Sequence, residues 1–171
     1  MKKFLSFFAL FIFIHEIVAF TQESTIWKTL AYKNYSIDYP SNKRLVKNSP
    51  EGNFTIYLLQ QQTDNVMMKI NDLAGYMLDL DSYAFQYGDE YFRRTNITVL
   101  EDKTITLNKQ PCHKFVVTQD DGHGEIEYKV MVYIWVKNNW AYNLTFAAKP
   151  DKYDELKPIA QKVAESFKFT K

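Results

Sequence analysis

Asp120-Asp121-Gly122-His123-Gly124-Glu125 is the best candidate in this sequence for metal chemistry. Three carboxylates and an imidazole within six residues can ligate a divalent cation. Glycines on both sides of His123 would let the backbone curl around it. The spacing is not that of an EF-hand, which alternates oxygen ligands over about twelve residues and ends on Glu. Asp and Gly are equally the residues that a solvated hairpin tip needs, and this run lies between strand-like sequence at Thr118 and Ile126. The hairpin tip is the preferred reading, with Asp120, Asp121, His123 and Glu125 kept as candidate metal ligands.

Cys112-His113 invites a thiol-nucleophile reading, because a thiolate needs a neighbouring base. Adjacent residues on a strand point to opposite faces, so these two cannot serve each other. As the only cysteine, Cys112 has no intramolecular disulfide partner. It is expected to be a small buried hydrophobe. Tyr76, Tyr83, Phe85, Tyr87, Tyr91 and Phe92 form an aromatic set that can line a wet groove for a sugar, small ligand or partner peptide. The alternative is that alternate members are core and the remainder scattered surface, and that reading is favoured. The sequence carries no phosphate loop, nucleophile elbow, zincin helix or paired-cysteine site. No catalytic residue and no cofactor is therefore assigned.

These residues must be positioned by a strand-rich chain. Trp27 to Tyr32 and Tyr35 to Tyr39 flank a turn at Lys33-Asn34, and Pro40 ends the second strand because it lacks a ladder N–H. Phe54 to Gln60 and Val66 to Ile70 follow as short strands. Ile97 to Leu107 reads as two strand segments with a charged turn at Glu101-Asp102-Lys103. Glu125 to Val136 sets Ile126, Tyr128, Val130, Val132, Ile134 and Val136 against Met131, Tyr133 and Trp135, so this strand is covered on both faces. Asn138-Asn139 turns it back into Trp140 to Ala148. Asp81 is placed as the cap of a helix from Ser82, on which Tyr83, Tyr87 and Tyr91 recur every four residues. A second helix carries Leu156, Ile159, Ala160, Val163, Ala164 and Phe167 on one stripe. Pro158 requires that helix to start late, near Asp154. The sum is an α+β fold with a central antiparallel sheet sandwiched by helices.

The first nineteen residues read as a secretory leader. Lys2 and Lys3 precede the apolar run Phe4 to Ile14, His15-Glu16 interrupts it, and Ala19 is a plausible cleavage position. The uninterrupted run is well short of the roughly 20 residues that span a bilayer. Cleavage removes Lys2, Lys3 and Glu16 from 21 basic and 20 acidic side chains, leaving a formally neutral chain. Bulk electrostatics gives no reason to expect a nucleic-acid partner. No linker or repeat divides the remainder, so residues 25–171 are read as a single domain.

The order of motifs resembles the PsbP-like proteins, a group that includes the periplasmic DcrB-type proteins. The resemblance rests on Trp27 with Tyr35-Ser36-Ile37-Asp38-Tyr39-Pro40, on Ile105 through Pro111, on Val136 through Thr145, and on Tyr153 through Lys157-Pro158-Ile159-Ala160 to Phe167-Lys168. It implies an α/β/α sandwich and an exported accessory or binding role, without catalysis in most members. The family's usual Trp after the Tyr-Pro is missing, and Leu45 stands in that region. The plant photosystem members bind metal. No matching ligand set is visible here, so no functional residue is carried over. The expected partner is an envelope protein or complex. Peripheral association with the membrane surface and the oligomeric state are left open. The alternative is a small-ligand or divalent-metal carrier using the 120–125 loop or the aromatic groove.

Overall fold

A computed structural model of the chain describes residues 25–32, 34–50, 52–59, 64–73 and 78–170. Residues 1–19, on which the expected leader falls, and Lys33 and Tyr76 lie outside the described residues. The strands form two antiparallel sheets. A small sheet has the order β1-β2-β10, from β1 (Trp27–Ala31), β2 (Tyr35–Pro40) and β10 (Lys168–Phe169). The large sheet contains β3 (Arg44–Lys47), β4 (Phe54–Tyr57), β5 (Asn65–Asp72), β6 (Ile97–Leu107), β7 (Gln110–Asp120), β8 (Ile126–Lys137) and β9 (Trp140–Ala148). Its order is β3-β4-β5-β9-β8-β7-β6, so β6 forms one edge.

Two tight turns fix the register of the large sheet. Asn138 and Asn139 have φ of 51° and 62°, and Asn108 and Lys109 have φ of 49° and 64°. A two-residue hairpin needs positive φ at both central positions to match strand twist, and asparagine tolerates that geometry best among side-chain-bearing residues. The first turn sets Lys137 opposite Trp140, and the second sets Leu107 opposite Gln110.

The alternation read along β8 divides its side chains between two cores. Met131, Tyr133 and Trp135 pack with Leu156, Ala160 and Val163 of α2 (Pro150–Glu165) and with Leu30, Tyr35 and Ile37 of the small sheet. Val132 and Ile134 pack on the other face with Tyr83 and Ala84 of α1 (Leu80–Phe92). One outer layer is thus a helix. The other is a helix beside a three-stranded sheet, which corrects the expectation of helices alone: the C-terminal β10 adds to β2 and completes that layer. Trp135 stacks on Phe167 with ring centroids 4.2 Å apart, tying β8 to the segment after α2. Each large apolar side chain buried here contributes about 1.5–3 kcal/mol.

Local corrections have physical causes. The cap of α1 is Asp79, whose carboxylate accepts from Ser82 N–H at 2.8 Å, and Asp81 sits in the first turn instead. Helix α2 begins at Pro150, where a missing N–H costs nothing, and runs through Pro158. Pro158 and Asp154 are both exposed, so the Asp154 carbonyl that loses its helical partner is open to water. Strand β6 is continuous through Glu101-Asp102-Lys103, in place of the expected turn. Those charges find partners on one hairpin: Glu101 pairs with Lys103 and Lys114, and Asp102 with His113. Strands β3 and β10 have no counterpart in the sequence reading, and β4 ends at Tyr57, short of Gln60.

Candidate functional site

Helix α1 lies across β6, β7 and β8 and is anchored by one hydroxyl. Tyr83 Oη accepts from Asn71 Nδ2 and Asn143 Nδ2, each at 2.8 Å, which ties the helix to β5 and β9. The side of α1 nearer the sheet edge does not close on the strands. Gly88 has no side chain there, and a Cβ added to it would lie 3.4 Å from Phe115 Cζ. Glycine within a helix costs up to about 1 kcal/mol relative to alanine. Here it keeps a cleft open above the Phe115 ring. The cleft has a volume of about 430 Å³. Phe85, Phe92, Val99 and Phe115 supply its apolar walls, and Asp81, Asp89, Arg93, Asp102 and His113 its polar ones.

The polar groups form a chain of contacts. His113 Nε2 is 2.7 Å from Asp102 Oδ1, and His113 Nδ1 is 3.0 Å from Thr104 Oγ1. Thr104 Oγ1 donates to Asp81 Oδ1 on α1 at 3.3 Å. Arg93 pairs with Asp89 at 2.6 Å and lies over the Phe85 ring, 5.7 Å from its centroid. Carboxylate, imidazole and hydroxyl stand in the order of a nucleophilic relay. A second carboxylate on the hydroxyl opposes the negative charge that an alkoxide or oxyanion would develop. The cleft favours a cation over an anionic intermediate.

The expected aromatic set divides between the two flanks of α1. Phe85 and Phe92 border this cleft. Tyr83, Tyr87 and Tyr91 border a smaller one of about 220 Å³ with Asn71 and Leu73. Tyr87 and Tyr91 have ring centroids 4.6 Å apart, inclined at 39°. Burial, with Tyr83 adding to it, raises the Tyr87 hydroxyl to about 12.

Asp120, Asp121, His123 and Glu125 lie at the β7–β8 hairpin tip. Asp120 Oδ1 accepts from Gly122 N–H at 2.8 Å, and Asp121 Oδ1 accepts from His123 N–H at 2.8 Å and Glu125 N–H at 3.2 Å. Gly122 and Gly124 have φ of 85° and 94°, which is the freedom glycine supplies. Among the described residues no three His, Cys, Asp or Glu side chains are grouped to hold a metal ion.

Cys112 is buried in the core on the α2 side, and burial pushes its thiol up to about 12. The His113 ring faces the α1 side, so the adjacent pair is separated by the sheet itself. What the sequence reading missed is the Asp102–His113–Thr104–Asp81 chain. Counting back from the Asn108-Lys109 turn places Thr104 opposite His113 and Asp102 one step along the same face. The turn assigned to Glu101-Asp102-Lys103 concealed that register.

No protein-family model matches the sequence, and no curated protein matches it. Solved structures share the fold. The solution structure of cyanobacterial PsbP (CyanoP) from Synechocystis sp. PCC 6803 matches with a TM-score of 0.62 and 12% identity, over 88% of this chain and 96% of that one. LpqN of Mycobacterium tuberculosis, involved in cell envelope biogenesis, matches with a TM-score of 0.53 and 14% identity, over 85% of this chain and 91% of that one. A protein of Bacteroides thetaiotaomicron matches with a TM-score of 0.51 and 17% identity, over 80% of this chain and 45% of that one. At these identities the likeness is one of fold. Among the described residues no helix is long and apolar enough to cross a membrane.

Proposed function

We propose that this chain is an exported, non-catalytic binding domain that serves an envelope protein or complex and meets its partner at the cleft between α1 and β6. The observation that carries this reading is the clustering of exposed apolar side chains at one corner of the molecule. Phe85 is 68% exposed and Val99 44%, both lining a cleft with an apolar floor, and Leu100, 60% exposed, follows Val99 on the edge strand. Contiguous exposed apolar surface on a soluble domain marks an interaction site. The shared fold with CyanoP and with the envelope protein LpqN supports an accessory role, and the leader-like first nineteen residues support export. The protected Cys112 thiol and the second carboxylate on Thr104 both weigh against catalysis.

The test is crosslinked capture from the native host with the whole chain tagged after Lys171, run beside Phe85→Asp. Phe85 is exposed, so that change is expected to lower Tm only slightly, through its Asp81 and Asp89 neighbours and the lost Arg93 contact, while it spoils an apolar contact. Capture of one envelope complex by the native chain, lost in Phe85→Asp, is the expected result. Capture indifferent to Phe85→Asp would overturn the reading.

A further inference from the structure

We infer that the cleft receives an extended segment of a partner protein, which adds as a strand along β6 and lays a basic side chain against Asp102 and Asp81. The inference rests on the binding-domain reading above and states what the partner must look like.

Strand β6 runs for eleven residues at the edge of the seven-stranded sheet, and β7 is its only strand neighbour among the described residues. An exposed edge offers a row of backbone donors and acceptors to an incoming strand. Such a strand would present every second side chain to the face that holds the cleft. On β6 that face carries Val99, Asp102 and Thr104. Val99 and Asp102 are three positions apart, and a regular strand would send them to opposite faces. The register shift between Val99 and Glu101 inserts Leu100 as an extra residue and brings both into the one cleft.

The charge of the cleft selects the incoming residue. Asp89 is already paired with Arg93, while the chain of bonds through His113 and Thr104 uses one oxygen, Oδ1, of Asp102 and of Asp81. Lys103 and Lys114 belong to the opposite face, where both pair with Glu101. The whole chain is formally +1, so attraction of a cation here is a property of this corner and not of the overall field. A guanidinium or ammonium beside Asp102, with an apolar side chain next to it against Val99 and Phe85, matches both halves of the cleft.

The probe is a seven-residue capped peptide of threonines, with one arginine and, two positions on, one phenylalanine. The control replaces that arginine by glutamine. Both are titrated into the ¹⁵N-labelled protein, purified as its host processes it. The arginine peptide is expected to bind about tenfold tighter than the glutamine peptide, with shifted and exchange-protected amides along Val99 to Thr106. Asp102→Asn is expected to bring the arginine peptide to the glutamine level and to leave the glutamine peptide unchanged. Asp81→Asn, at an exposed position, gives the same comparison should Asp102→Asn fail to fold. Equal binding of the two peptides, binding of neither, or perturbation confined to other strands would overturn the inference. Equal binding combined with loss of host capture in Phe85→Asp would leave the binding-domain reading standing and remove only the basic segment.

Discussion

His113 and Asp102 meet across the β6–β7 hairpin, imidazole Nε2 to carboxylate Oδ1 at 2.7 Å, with the ring 4.6 Å from that of Phe115. A neutral imidazole has one N–H. With that proton on Nε2 toward Asp102, Nδ1 must accept from Thr104, and the single Thr104 hydroxyl proton is then lost to Asp81. A second ring proton lets Nδ1 donate to Thr104 and Thr104 donate to Asp81, so all three contacts stand together. The chain of contacts thereby ties β6 and β7 to the first turn of α1. His113→Gln is expected to cost roughly 0.5–1 kcal/mol, the scale of a partly exposed pair, and to speed amide exchange in the first turns of α1 selectively. Uniform exchange across the molecule would show that the chain does not hold the helix.

Glu101 gives a pH dependence with a definite sign. Hydrogen bonds from Lys103 and then Lys114 hold its carboxyl below the usual carboxylate range. A depressed carboxyl stabilises the fold above the unfolded pKa, and that stability is lost as pH falls through the folded one. The loss therefore lies below about pH 4.3, the ordinary glutamate value. Glu101→Gln should lower Tm slightly at neutral pH, where the contribution is fully present, and converge with the native chain below this window, so that the acid limb of Tm against pH is flatter. An unchanged acid limb would remove the pair from the account of stability.

Val163 is fully buried between α2 and the sheet. Val163→Asp exchanges about 1.5–3 kcal/mol of apolar burial for an unpaired charge in the core. That change is expected to abolish cooperative thermal unfolding. A Tm equal to that of the native chain would refute the packing of α2 on the sheet.

Cys112 should be inert to a thiol reagent in the native protein at pH 8, because burial both blocks access and keeps the thiol protonated. Full reaction is expected once denaturant unfolds the chain. Modification of the native protein at the rate of a free thiol would reopen thiol chemistry.

The Asp121 carboxylate is engaged with the His123 and Glu125 amides. A cation taken up by the loop would have to displace those contacts. Ca²⁺, Mn²⁺ and Zn²⁺ are each expected to leave Tm unchanged. A rise that disappears in Asp121→Ala or His123→Ala would assign the loop to a metal.

What is legible in the sequence is whatever one element decides alone. The two-sided apolar pattern of β8, the asparagine turn at 138–139 and the stripe on α2 are local, and each has its expected place in the structure. Two helix starts differ from expectation because capping residues compete. Asp79 and Asp81 both suit an N-cap, and Pro150 fills the first-turn role that the sequence reading gives to Pro158. The cleft is not legible, because it depends on the phase of β6 against β7 and on where α1 crosses them. Gly88, in sequence only a weakness in a helix, is the position that leaves room above Phe115. Asp102, in sequence part of a turn, is a strand residue.

The extra residue in β6 bears on how this chain tolerates changes in length. Removing one residue from the middle of a strand ordinarily inverts everything on one side of the cut. At Leu100 it would not, since Val99 already faces Val117 and Glu101 already faces Val116. Excising Leu100 would join those two rungs into an uninterrupted ladder with every other pair preserved. Excising Lys103, three residues on, would exchange the inner and outer faces of half the strand. One-codon losses along β6 should therefore differ sharply in outcome, with position 100 the permissive site.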